Sequence, residues 1–293
     1  MEIRVLNYFL AVAREQSISG AAKFLHLSQP TLSRQLKDLE EEFGKQLFIR
    51  GNKKITLTED GILFRKRAEE IIELVRKTES EMTSENIEGQ VYIGTGETEA
   101  IDIIAKCIKN IQNKHKNIFF NISSDDGQDV FDNLDSGLID FGIVLCPFDK
   151  TKYNYLTLPK KDVWGILMRK DSPLANLDYI EPKDLINKPL IISREVPATS
   201  EFSKWIKKDI NKLNIIATYN LVYNASILVN NGLGYALTLD KLINSDDFSN
   251  FRFRPLMPKL ETEINIIWKK YQIFSKPAEL FLKELEKEVD TSN

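Results

Sequence analysis

The chain has 293 residues, 42% hydrophobic and 28% charged, with a formal net charge of −3, which is enough for two or three compact units with the composition of a water-soluble globular protein. It holds no apolar run of about 20 residues, so no membrane span is expected, and Met1-Glu2-Ile3-Arg4 lacks the basic start and long apolar core of an export signal, which makes the cytoplasm the expected compartment. Cys107 and Cys146, and His26 and His115, stand in unrelated contexts, leaving little from which to build a zinc site, a disulfide framework or a His-based triad; no metal, cofactor or catalytic residue is predicted.

Residues 1–66 carry eleven Lys and Arg against eight Asp and Glu, so a basic end precedes an acidic body and a polyanion is the expected partner of that end alone. Ile3, Leu6, Phe9, Leu10 and Ala13 recur every three to four residues, the period of an amphipathic helix. Ser17 and Ser19 are N-cap candidates for a second helix, on which Ala21, Ala22 and Leu25 keep one side small for close packing. Ser28 caps a third, with Pro30 in its first turn, where a missing N–H costs little. On this helix Leu32, Leu36, Leu39 and Phe43 form one stripe; Pro30, Arg34 and Lys37 point away from it and Ser33 lies on its flank. A face that is short at its N-terminal end and cationic further on suits a DNA major groove. There Arg can bond a guanine edge with two N–H groups, while hydroxyls, the cap and Lys grip phosphates. A merely solvated face is the plainer reading; it accounts for the charges but not for the missing long side chains near Pro30.

Residues 47–58 read as two strands around a Gly51-Asn52 turn, a wing whose tip carries Arg50, Lys53 and Lys54, placed for a minor groove or the adjoining backbone. Thr58 then caps a long helix over 59–86, where Phe64, Ala68, Ile71, Val75, Thr78 and Met82 alternate spacings of four and three. That seam, roughly 40 Å long at about 1.5 Å per residue, predicts pairing with a second copy of the helix, and two copies of the reading helix imply a dyad-symmetric site on DNA. A core helix is the alternative.

At this point the residues resemble the LysR-type transcriptional regulators. The resemblance is carried by Ala21-Ala22 before Leu25, by the run from Ser28 to Leu36 with Leu39-Glu40, by Leu47-Phe48-Ile49-Arg50 and by Leu57-Thr58-Glu59-Asp60-Gly61. It extends over essentially the whole chain. It implies that Gln29, Pro30, Thr31, Ser33, Arg34 and Lys37 face the major groove with Lys53 at the wing. Two positions depart from the family pattern: Lys53 where Arg is usual, and Asp60 where Ala is usual. Lys grips phosphate as a point charge and probes a minor groove less well than Arg.

Beyond residue 88 strands alternate with helices, which predicts mostly parallel sheets covered by helices. The first series has strands at 91–94, 118–123 and 141–145, with helices ending near 113 and over 130–136. The second has strands at 190–193, 215–219 and 234–238, with helices at 200–208 and 225–231. Residues 164–168 read as a crossover strand, 263–268 as the strand returning, and 277–289 as a closing helix. The resemblance implies an effector domain like a periplasmic binding protein, two α/β lobes with a small molecule between them. The expected division is therefore a winged helix-turn-helix at 1–58, a dimerisation linker helix at 59–88 and an effector domain at 89–293, with lobe I at 89–163 and 264–293 and lobe II at 164–263.

Residues following strand ends are the candidates to line that cleft: Gly96, Glu97, Thr98, Asp125, Cys146, Ser193, Arg194 and Asn224. Arg194 offers a fork for a carboxylate or phosphate, and the N–H groups near Thr98 favour an anion, yet Glu97, Glu99, Asp125 and Asp126 crowd the same rim. A ligand with an anionic part and a cationic or hydroxylated part would satisfy both, unless Arg194 pairs with Glu195 or another neighbouring acid. Gly94-Thr95-Gly96 is read as a tight strand-to-helix turn, since a dinucleotide fingerprint fails at Glu99. The expected function is a ligand-responsive regulator binding double-stranded DNA as a homodimer, or by resemblance as a tetramer. The alternative is a two-lobed solute-binding protein or small-molecule enzyme with a dimerisation appendage. Free thiols are expected, with a redox-sensing role for the cysteines left as an open alternative.

Overall fold

The computed structural model describes residues 1–51, 54–83, 88–194, 196, 200–207, 210–245 and 249–292. The chain divides into two compact units, Met1–Thr83 and Ser84–Asn293.

In the first unit α1 (Ile3–Glu15), α2 (Ile18–Phe24) and α3 (Gln29–Phe43) precede an antiparallel pair, β1 (Phe48–Arg50) and β2 (Ile55–Leu57), and then α4 (Glu59–Thr83). Each boundary has a local chemical cause. Ser17 Oγ accepts the Gly20 N–H at 3.2 Å to start α2, and Ser28 Oγ accepts the Thr31 N–H at 3.3 Å to start α3. α3 stops at Gly44, whose φ of 62° is left-handed backbone that glycine adopts at little cost. Thr58 Oγ1 accepts the Gly61 N–H at 2.9 Å and donates to the Gln46 carbonyl at 2.7 Å, which ties the start of α4 to the chain entering β1. Gly61 is required there, because a Cβ would stand 2.1 Å from the Leu47 carbonyl oxygen. Leu6, Phe9, Ala21, Leu32, Leu36 and Leu39 meet Phe48, Ala68 and Ile72 in one core. Burying a large apolar side chain is worth about 1.5–3 kcal/mol, so the three leucines settle which face of α3 turns inward. Phe43, expected in the same stripe, is 45% exposed and lies edge-on to Phe64 instead.

The described strands of the second unit form one nine-stranded sheet whose two halves share a single long strand. β3 (Gly89–Thr95) pairs in parallel with β4 (Ile118–Ser124) and β5 (Phe141–Val144), and α5 (Ile101–Gln112) and α6 (Gly127–Ser136) complete the crossovers. β6 (Tyr153–Arg169) is 17 residues long and serves both lobes. Its first part runs antiparallel to β11 (Glu261–Lys269), and its last part pairs with β9 (Tyr235–Leu239) and β10 (Phe251–Pro255). In the second lobe β7 (Leu190–Ser193) lies parallel to β8 (Ile215–Tyr219) and to β9, with α7 (Ser200–Ile206) and α8 (Val222–Asn230) on its faces. α9 (Lys276–Ser292) returns to the first lobe, where Phe281 and Leu285 pack with Ile104 and Phe141.

Two strands exceed the expectation from sequence. The crossover read at residues 164–168 begins at Tyr153, and β10 was not foreseen. Pro159 and Lys160 fall where β6 and β11 shift register, between the pairs Thr157↔Asn265 and Lys161↔Glu263. A bulge tolerates proline because it asks for no ladder N–H there. β10 is Phe-Arg-Phe-Arg-Pro, so Phe251 and Phe253 alternate with Arg252 and Arg254 as a half-buried strand does; the signal is in the sequence, over only five residues.

Candidate functional site

α3 presents the first candidate surface. With Leu32, Leu36 and Leu39 buried, Gln29, Pro30, Thr31, Arg34 and Lys37 are exposed and Ser33 is half-buried on the flank. The Ser28 hydroxyl is engaged locally, 2.7 Å from the Thr31 hydroxyl as well as capping the helix. Arg34 is 83% exposed, with Nε 3.9 Å from Asp38, and Lys37 Nζ lies 3.1 Å from Glu41. Both are surface pairs one helical turn apart, worth about 0.3–0.5 kcal/mol, so a phosphate or a base edge can replace the acid at small cost. Arg50, half-exposed, stands 3.7 Å from Glu40, whose other oxygen accepts the Leu47 and Phe48 N–H groups and so anchors the start of the hairpin to α3. Lys54 is exposed, while Lys53 lies outside the described residues.

The predicted seam on α4 is corrected by the packing. Ala68 is fully buried in the unit's own core and Phe64 packs against that core, its ring edge-on to Phe9. Ala68 has no surface left to meet a partner chain, and Phe64 has only part of its own. Ile71, Thr78 and Met82 are exposed and Val75 is half-buried. Leu63 and Leu74 are also exposed, and at about 100° per residue they share a face with Ile71 and Met82, rotated from the one expected.

The second candidate lies between the lobes of the second unit, a cavity of about 80 Å³. Of the residues expected there, Gly96, Glu97, Asp125, Ser193 and Arg194 line it. Three expected residues do not. Thr98 is buried and donates to Asp162 Oδ2 at 2.5 Å, Cys146 packs against the cluster of Val130 and Leu134, and Asn224 is exposed on α8 away from the lining. Asp126, Trp164, Tyr219 and Thr238 line the cavity as well. Tyr219 ends β8 and Thr238 is near the end of β9, so the strand-end rule that yields Ser193 covers them; Asp126 stands where the sequence put it, on the rim, and Trp164 needs the three-dimensional pairing.

Polar contacts cross the cleft. Arg194 Nη2 donates to Asp126 Oδ2 at 2.9 Å. Glu97 Oε2 accepts the Val222 N–H at 2.5 Å, capping α8 from the opposite lobe. Lys241 donates to Glu99 at 2.9 Å, and that lysine holds the Glu99 carboxyl below its ordinary range. At the crossing strands Trp164 Nε1 donates to Thr262 Oγ1 at 2.7 Å. Burial raises the Glu97 carboxyl, with the Val222 N–H opposing, and burial likewise raises Asp162. Cys107 is fully buried and its thiol is pushed up to about 12, so it holds negligible thiolate near neutral pH. Among the described residues no group of three His, Cys, Asp or Glu is arranged to hold a metal ion, and no helix is long and apolar enough to cross a membrane.

Comparison with known proteins adds to this geometry. Residues 3–62 match a family model described as bacterial regulatory helix-turn-helix protein, lysR family, and residues 84–290 match one described as LysR substrate binding domain. The chain is 33% identical over 223 residues to the HTH-type transcriptional regulator BsdA of Bacillus subtilis, spanning 73% of this chain and 74% of that one. Among solved structures it resembles CbnR, a LysR family transcriptional regulator, with a TM-score of 0.76 at 17% identity over 99% of each chain. Full-length CbnR complexed with its target DNA gives a TM-score of 0.74 at 18% identity over 100% of both chains. At such identities the likeness to these structures is one of fold.

Proposed function

Because the chain belongs to the LysR family of bacterial helix-turn-helix transcriptional regulators, we propose that α3 enters the major groove of an operator and that a small molecule between the lobes controls the outcome. The observation that carries the first part is the position of Arg34, 83% exposed on a helix whose opposite face is fixed by three buried leucines. On this reading Gln29, Pro30, Thr31, Ser33 and Arg34 meet base edges or the nearby backbone, and Ser28, Lys37, Arg50, Lys53 and Lys54 meet phosphates. The working division is DNA binding by 1–58, dimerisation through 59–88 and effector binding by 89–293. It acts in the cytoplasm as a homodimer or a homotetramer and performs no catalysis. The rival, a solute-binding protein or enzyme with a dimerisation appendage, leaves unexplained why residues 3–62 match a DNA-binding family model.

A ligand shifts the regulator only if it binds two arrangements of the lobes with different affinity. The contacts across the cleft supply that difference: Arg194 with Asp126 and Glu97 with the Val222 N–H exist only while the lobes are close. The test is a gel-shift titration on a cognate operator. Arg34→Ala is expected to cost about 1–3 kcal/mol and relax base preference at one position of each half-site. Unchanged affinity and preference would remove α3 from the groove.

A further inference from the structure

The cleft's own charges decide what it can hold. Read from sequence, Arg194 is a fork for an anion; in the folded chain the groups suited to an anion are already occupied by the protein's own carboxylates. Arg194 gives one N–H, on Nη2, to Asp126 at 2.9 Å, and its side chain is otherwise 54% exposed. The N-terminus of α8 is taken by Glu97, and that of α6 by Asp126, which also accepts the Asp129 N–H. At either helix N-terminus an incoming carboxylate or phosphate must displace a tethered competitor, present at high effective concentration. It must also enter a cavity lined by three carboxylates, Glu97, Asp125 and Asp126, against one guanidinium, Arg194. Like charges brought together in a half-buried site repel strongly.

Two of those carboxylates have no cation paired with them among the described residues. Glu97 accepts a neutral N–H, and Asp125 accepts the Ser123 hydroxyl at 2.6 Å. Leu145, Trp164, Leu239 and Leu242 give the same cavity an apolar wall. We propose that the cleft takes a small organic cation, its ammonium or amidinium head against Asp125 and Glu97 and a short apolar body against Trp164 and the leucines. In this arrangement of the lobes the cavity, about 80 Å³, has room for a body of a few carbons. The raised Glu97 carboxyl fits this occupant, since a cation beside it supplies the compensation that one N–H does not. The inference rests on reading this cleft as the effector site.

The test uses the full-length protein and three probes of matched shape: 1-butylammonium, 1-butanol and butyrate, compared by calorimetry at equal ionic strength. The ammonium is expected to bind at least about tenfold more tightly than the alcohol, with butyrate weakest. Asp125→Asn and Glu97→Gln, which keep the shapes and remove the charges, are each expected to weaken the ammonium by about tenfold or more. Two variants are used so that a folding defect in one does not decide the matter. Butyrate binding as tightly as the ammonium, none of the three binding, or full ammonium affinity in both variants overturns the proposal. A gel shift on the same preparation separates the two readings. Protein that binds DNA but prefers butyrate loses the ligand class alone, whereas protein that ignores DNA loses the regulatory reading.

Discussion

Glu97 is a carboxylate kept half out of water with one neutral donor, the Val222 N–H, for company. Burial disfavours its charged form, so its pKa in the folded chain lies above its unfolded value. The folded state therefore holds the proton more tightly. The resulting stabilisation is present below the unfolded value and is lost as pH rises through the folded one, so at neutral pH Glu97 contributes a penalty. Asp162 acts in the same direction, while Glu99, lowered by Lys241, acts in the opposite one. Glu97→Gln keeps an acceptor for the Val222 N–H and removes the charge. Its unfolding free energy at pH 7 is expected to be no lower than the parent's, and its advantage over the parent to shrink on acidification into the mildly acid range, where the parent's Glu97 takes up its proton. Urea denaturation across that range checks both, and a variant less stable at pH 7 would mean that the carboxylate's charge holds the lobes together.

At the scale of elements, α4 shows what a period can and cannot tell. Its apolar residues lie on two sides, and spacing alone does not say which side meets α1 and which meets another chain. Phe64 and Ala68 belong with Phe9 in the unit's own core, and Leu63, Ile71, Leu74 and Met82 are left outside. We expect those outward residues to carry dimerisation. Leu74→Asp should move the protein towards monomer in sedimentation at concentrations where the parent is dimeric, with its helical signal retained. An unchanged sedimentation coefficient would rule this face out. By contrast the start of α3 is legible in the sequence to within a residue, because Ser28 and Pro30 act within a turn of where they stand. The first half of β6 is not, since Pro159 looks like a loop until β11 supplies a bulge for it. The cleft is half legible. The rule that ligands meet strand ends finds Ser193 and Arg194, but the pairing of Arg194 with Asp126, on which the proposed preference for a cation turns, joins residues 68 apart in the chain.

For the molecule as a whole, the decisive quantity is where charge resides. The total is −3, yet residues 1–66 carry a basic surplus, eleven against eight. The rest of the chain is acidic and repels a polyanion. Affinity for duplex DNA should therefore be confined to the first unit and fall steeply with salt, because each phosphate contact releases condensed counterions and contributes about −0.9 to the slope of log K against log salt. Within that field Lys37 and Arg34, neighbours on one face of α3, should separate. In the proposed docking Lys37 reaches a phosphate, so Lys37→Ala should weaken cognate and random duplexes alike and flatten the slope by about one for each copy of the helix engaged. Arg34 in the same docking reads a base, so its alanine variant should lose preference beyond any change in slope. Both follow from binding isotherms on two duplexes at several salt concentrations. If Lys37→Ala left the slope untouched, or changed the cognate duplex alone, the cationic end of α3 would not lie along the phosphate backbone, and the docking derived from its leucine stripe would have to be turned about the helix axis.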